Sequence, residues 1–500
     1  MTKRPRDYRT LFVCVVGGLW GVASLAFVLI HAAVRGLTFA GPYGLLFPGD
    51  QLRYLAWIRE AGLHGLIADP YRPGAPHVYL QPMFLLSGLL WRVGLSIQAA
   101  YLAWTPVSLG VLICGFAAFI GRFLRGGERA AALALGLLFF SPLVPALDWG
   151  GIVNANGAND LVIAASHVAT FSQAWGYLPT TLALGLMALF LAGFDELLAG
   201  ARGRAVGVTA FFGLLAAWLD PWAGIQLLVI VALLLAWRRP RPGLAALAAV
   251  ALPLAYYAAL VHLDHAWSLS HLRAAGDGAM WYPLAIVLGP LALAALPAAR
   301  PPRSASEQLL VLWPLAALIV YIALGPDARA SSLEGSALPL SVLAVRGWRS
   351  VSRSALISAA ALVLAVVPGA VYGAQTFHDV FRAHAVPFAL APGEQQAVDA
   401  VEHLPGALLA TPYLGFALPA LAGRASSSLA GDLDAVFDGR APPDRVRQLI
   451  RSRRIAVVVT DCERRRVNLR SVLASLDFTE RDYGCAHVYQ LSTPFVRVRS

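Results

Sequence analysis

"LLFPGDQLRYLAWIREAG", residues 45–62, follows an apolar run at 11–34 and sets an early acid, Asp50, and two arginines, Arg53 and Arg59, just beyond it. The run is about 24 residues, enough to cross a ~30 Å hydrocarbon core. The quoted stretch itself is amphipathic. Leu52, Leu55, Ile58 and Gly62 recur near one face of a helix expected over 51–66, which leaves the charges on the other face. Asp50 can cap that helix, an ordinary use of aspartate, and a capped acid can still face a cleft.

Composition bounds the rest. With 58% hydrophobic and 13% charged residues over 500 positions, too little polar surface remains to clothe one water-soluble globule. The mean hydropathy of +0.64 agrees, and the chain reads as a polytopic α-helical membrane protein. Its formal charge of +11 is almost wholly arginine, since Lys3 is the only lysine. Basic patches interleaved with aromatic residues are missing, so nucleic acid is not expected as a partner. The opening "MTKRPRDYRT" is a positive flank with no convincing cleavage site after the first run, the pattern of an uncleaved signal anchor with a cytoplasmic N-terminus.

Ten further apolar runs lie at 97–119, 130–147, 177–191, 205–219, 222–237, 244–261, 282–297, 309–324, 337–345 and 355–372, which with the first makes about eleven transmembrane helices. Charge supports the count. The arginine-rich connections at 121–129, 201–204, 238–242, 299–307 and 346–353 all fall on the cytoplasmic side, and the connections poorer in positive charge alternate with them. A shorter stretch at 79–94 carries Arg92, and counting it as a span would invert every later loop. It is therefore expected as an interfacial or re-entrant helix within a first outer loop, 35–96.

The chain thus divides into a transmembrane domain, 1–373, and a small α/β domain, 374–500. In the latter, strand-like "ALLATP", "RIAVVVTDC" and "AHVYQL" alternate with charged helical stretches. Eleven spans put this domain outside the cytoplasmic membrane. There Cys462 and Cys485, beside two of those strands, can form a disulfide; Cys14 and Cys114 fall within spans as apolar filler.

These features together, a first span, an early acid in "PGDQLRYLAWIREAG", paired interfacial helices, many spans and an outer α/β domain, resemble the GT-C superfamily of membrane glycosyltransferases. The bacterial polyprenyl-phosphate-sugar-dependent mannosyl- and arabinosyltransferases are the nearest type. The resemblance covers 1–373 as architecture and about 40–95 as motif. It implies that Asp50 is the general base on the acceptor. A hydroxyl is a poor nucleophile, and a carboxylate in reach can take its proton. The leaving lipid phosphate needs positive charge. Candidates are Arg53, Arg59, Arg72 and His77 in the same loop, with Arg273 and Arg329 in later outward loops, although a solvated loop arginine would look the same. Many relatives have a second acid where this chain has Gln51. No spacing resembles a zinc or EF-hand site, so the sequence leaves a divalent metal open but unsupported, and no other cofactor is expected.

Three other places carry polar residues that suit a cavity. Asp148 and Asp160, with three asparagines and His167, crowd "DWGGIVNANGANDLVIAASH" (148–167), for which an ordinary loop is the simpler reading. Asp220 breaks an apolar stretch at "LDPW" and marks an outward turn. His265 lies in an outer loop where an interfacial histidine and aromatic belt is the plainer account. The resemblance therefore implies an inverting glycosyltransferase of the bacterial inner membrane, passing a sugar from a polyprenyl-phosphate donor to an extracytoplasmic lipid or glycan acceptor. A transporter or flippase of lipid-linked sugars is the alternative, as is an inactive envelope-assembly scaffold. A transporter should show an inverted repeat and charges buried mid-span, and the sequence displays neither.

Overall fold

The structure, a computed structural model, describes residues 8–492 apart from 42–47, 73, 171–175, 239–241, 268–280, 299–301, 303, 324–329, 353, 383–387, 427–433, 438–440, 463–468 and 475. Each of the eleven apolar runs is helical over most of its described length. Among the described residues, five helices are long and apolar enough to cross a membrane: Val15–Val34, Ile97–Ile120, Leu178–Leu198, Gly243–Leu263 and Ala305–Ala323. Arg204–Leu219, Pro221–Ala236, Tyr282–Ala298 and Ala355–Val371 are apolar but shorter.

The run expected at 130–147 is not one straight helix. It is broken into Gly126–Leu138 and Leu143–Trp149, bent by 46°. Pro142 supplies the cause, because it brings no N–H and disfavours the helical conformation at Ser141 before it. Neighbouring segments take up the two backbone groups of the lost helical bond: the Phe140 N–H donates to the Ala365 carbonyl at 3.4 Å, and Thr170 Oγ1 donates to the Gly136 carbonyl at 3.0 Å. Ser141 Oγ also fastens the break, donating to the Ile286 carbonyl at 2.7 Å.

The expected loop at 148–176 is also different. Asp148 lies near the end of the helix Leu143–Trp149, and Ala155–Val168 is a helix of its own. Asn154 opens that helix by accepting from the Gly157 N–H at 2.8 Å. Leu161, Ala164, Ala165 and Val168 then bury one face against Leu135, Phe139, Val144 and Val287. Spacing of i, i+3, i+4 and i+7 outweighs the turn propensity of the asparagines.

One compact unit comprises residues 1–24, 44–46 and 104–379. Within it the helices Trp104–Ile120 and Leu178–Leu198 meet at Gly115 and Gly185. A Cβ on Gly115 would run into the Gly185 carbonyl oxygen, and one on Gly185 would lie 2.6 Å from the Leu112 nitrogen. Such pairs let backbones approach where no water drives association. Gly185→Ala is therefore expected to destabilise by about 1–3 kcal/mol, since backbone cannot swing aside. Gly110→Ala, on open space in the helix that Gly185 meets, should not. Thermal unfolding of the two purified variants makes the comparison.

The second unit joins residues 25–43 and 47–103 to 380–500, so most of the first loop folds with the C-terminal segment. Strand β1 (Thr38–Phe39) pairs antiparallel with β2 (Ala389–Leu390). A four-stranded sheet is built from β3 (Ala407–Ala410), β4 (Ile455–Val459), β5 (Phe478–Asp482) and β6 (His487–Leu491), in the order β3-β4-β6-β5, with β3 and β4 parallel. The unbroken apolar "IAVVV" of β4 is wholly buried, as a central strand covered on both faces requires. Helices Pro392–Glu402 and Pro412–Leu421 contribute to one apolar core, and Pro443–Ser452 and Leu469–Leu473 to another.

Cys462 and Cys485 are disulfide-bonded, with Cα atoms 4.7 Å apart. Buried Glu394 braces the bridge, accepting from the Cys462 N–H at 2.9 Å and from the Ala391 N–H at 2.8 Å.

Candidate active site

The helix expected over 51–66 spans Pro48–His64, so Asp50 sits inside its first turn and is not the cap residue. An acid there favours the positive end of the helix dipole. Arg53 Nη1 lies 3.8 Å from Asp50 Oδ1, beyond hydrogen-bond length, and both side chains are part-exposed. The Arg53 guanidinium lies 5.8 Å from the centre of the Tyr71 ring. Tyr71 is held from the other side. Its N–H donates to Asp69 Oδ1 at 3.1 Å and its hydroxyl to the Phe416 carbonyl at 3.4 Å. Burial pushes the Tyr71 hydroxyl far above its ordinary pKa, outweighing the neighbouring Arg53, so it stays protonated and a donor. Asp50, Arg53 and Tyr71 thus form a layered group with an open acidic and basic edge.

The remaining loop candidates separate from this group. Arg59 reaches the C-terminal end of helix Pro412–Leu421. It donates to the carbonyls of Ala420 and Leu421 at 3.4 and 3.2 Å, pairs with Glu402 at 3.5 Å and lies over Trp91 at 5.4 Å. A cation on helix carbonyls is a fastening. Arg72 is exposed in the turn after Tyr71. His77 turns to Glu60, 3.1 Å away, and to His64. The stretch expected as an interfacial helix at 79–94 is the helix Pro82–Arg92, capped by Gln81 and crossing Pro48–His64 where Gly88 meets Gly62.

In the other unit, Asp220 is buried between helices Arg204–Leu219 and Pro221–Arg238, accepting from the Trp222 N–H at 2.8 Å. Glu334 faces it, an acid that sequence reasoning passed over. His167 Nδ1 lies 3.1 Å from Glu334 Oε1, Gln226 donates to the Glu334 carbonyl at 3.2 Å, and Trp313 donates to Gln226. Asp148 and Asp160 are part-exposed on their helices. His265 begins a short 3-10 turn, and Arg273 and Arg329 lie outside the described residues.

No protein-family model matches the sequence, and no curated protein matches it. Among solved structures the likeness is one of fold over nearly the whole chain. ArnT from Cupriavidus metallidurans, determined bound to undecaprenyl phosphate, aligns with a TM-score of 0.51 at 15% identity, over 94% of this chain and 97% of that one.

Proposed function

We propose that the protein is a membrane glycosyltransferase that takes a sugar from a polyprenyl-phosphate donor and passes it to a hydroxyl on an envelope lipid or glycan. The observation that carries this reading is the likeness to ArnT over nearly the whole length of both chains, together with that protein's bound undecaprenyl phosphate. The first loop and the C-terminal segment would face away from the cytoplasm of a bacterium, in keeping with the arginine bias of the alternate loops and with the Cys462–Cys485 bridge.

Asp50 is the general base in this mechanism. The acceptor oxygen forms a bond to the anomeric carbon from the face opposite the phosphate. The bond from that carbon to the phosphate oxygen breaks, its electron pair stays on the phosphate, and the hydroxyl proton passes to Asp50. One displacement inverts the anomeric configuration. Arg53 suits the leaving phosphate, because its loose 3.8 Å contact with Asp50 leaves guanidinium donors to turn outward, while Tyr71 and Phe416 support it from behind. Arg53→Ala is expected to weaken binding of undecaprenyl phosphate by ~1.5–3 kcal/mol, the scale of a charge-assisted hydrogen bond. Titration of the lipid phosphate into nanodisc-held protein measures it, and unchanged affinity moves the phosphate site elsewhere.

A buried acid pair, Asp220 and Glu334 with His167, favours one second reading, a proton-linked carrier of lipid-linked sugars. Incubating the protein in proteoliposomes with a panel of radiolabelled polyprenyl-phosphate sugars and envelope lipids separates the two. Labelled acceptor marks the transferase. Labelled donor that crosses the bilayer unchanged marks the carrier, and neither outcome with any donor leaves the scaffold.

A further inference from the structure

We infer that Glu60, His64 and His77 form a binding site for a single zinc-class divalent cation that fastens the first loop onto its helix. The local fold explains the meeting. Helix Pro48–His64 places Glu60 and His64 four residues apart, hence on one face. Gly65, at a φ of +78°, ends the helix, its N–H donating to the Ala61 carbonyl at 2.9 Å. The chain then leaves through a turn and comes back antiparallel, Ile67 pairing with Tyr79. That pairing returns His77 to the helix end.

The donor atoms converge. Glu60 Oε2 is 3.1 Å from His77 Nε2 and 4.0 Å from His64 Nε2, and one ligand atom from each of the three lies within 4.8 Å of the others. Tetrahedral zinc with bonds near 2.0–2.1 Å needs ligand atoms about 3.3 Å apart. Small rotations of two exposed imidazoles close that difference. Two neutral imidazoles and one carboxylate are a donor set that zinc accepts, with a fourth position left for water. The imidazoles face each other at a ring-centre distance of 4.1 Å. The ion joins helix Pro48–His64, which carries Asp50 and Arg53, to the 67–79 turn, which carries Tyr71.

The test reads binding alone. Full-length protein in detergent, freed of any affinity tag containing histidine and stripped with chelator, is titrated with zinc chloride and its bound metal counted. The wild type is expected to take up one zinc per chain at this site. His64→Ala and His77→Ala should each weaken it about tenfold or more, since even outer partners of metal ligands cost 10–100-fold. Glu60→Gln should do the same while keeping the side chain's shape. His403→Ala, an exposed histidine outside the cluster, should bind as the wild type does. Unchanged melting temperatures establish that the variants are folded. If the His64→Ala/His77→Ala double variant binds as much zinc as tightly as the wild type, the site is refuted. The same holds if the wild type binds none.

Discussion

Asp50→Asn is expected to lower the rate of sugar transfer by roughly 10²–10⁴-fold, the usual contribution of a positioned general base. Asparagine keeps the shape of the side chain but cannot take the acceptor's proton. Binding of undecaprenyl phosphate should be nearly unchanged, because Arg53 remains over Tyr71 and no longer has a carboxylate to hold it. Folding should be unaffected as well. Asp50 is part-exposed in the first turn, so the change weakens its interactions with the helix dipole and with Arg53, each worth a few tenths of a kcal/mol to about 1 kcal/mol. The decisive comparison is turnover against lipid-phosphate affinity in the same preparation. Turnover near that of the wild type would falsify the assignment of Asp50 as base.

Cys462→Ser/Cys485→Ser is the change expected to cost most in stability. The bridge spans a sequence separation of 23, and closing a loop of that size is worth ~3 kcal/mol in the chain-entropy model. Its surroundings give a second reason. A Cβ on Gly393 would lie 3.2 Å from Cys485 Sγ and would run into the Tyr483 carbonyl oxygen, so the start of helix Pro392–Glu402 rests directly on the bridge. Glu394 ties that helix to the Cys462 backbone. Chemical denaturation of the full chain, followed by limited proteolysis after residue 380, should show the loss. Reductant should lower the stability of the wild type to that of the variant and leave the variant where it was.

Much of this fold was legible because apolar length is a strong signal and because β4, "IAVVV", reads as a buried strand in isolation. The helix Pro48–His64 was legible from Leu52, Leu55 and Ile58, all wholly buried. Helix Ala155–Val168 was masked by its own asparagines, although its apolar spacing was present in the sequence. The strand β5, "FTERD", carries three charges and little apolar surface, so as an edge of the sheet it gives no periodic sign. The polar clusters were hardest. Glu334 is a single acid in "SSLEGS" and gains meaning only from Asp220 and from His167, 167 residues away. Glu60 and His64 stand four residues apart in the sequence but were passed over, and His77 joins them only through the Ile67–Tyr79 bridge.

The kink at Pro142 has a bearing on how the protein is made. Two of the groups that satisfy it, the carbonyls of Ile286 and Ala365, belong to segments translated long after the kinked one. At ~5–20 residues per second the ribosome needs on the order of ten seconds or more to reach them from residue 142. During that interval the nascent segment has Phe140 and Ser141 without their final partners in the finished protein. A backbone donor left unmatched in lipid costs several kcal/mol. The segment therefore has reason to wait in the insertion machinery, or beside water, until its later neighbours arrive. The final geometry of this helix pair is a late event in biogenesis, whatever its early position in the chain.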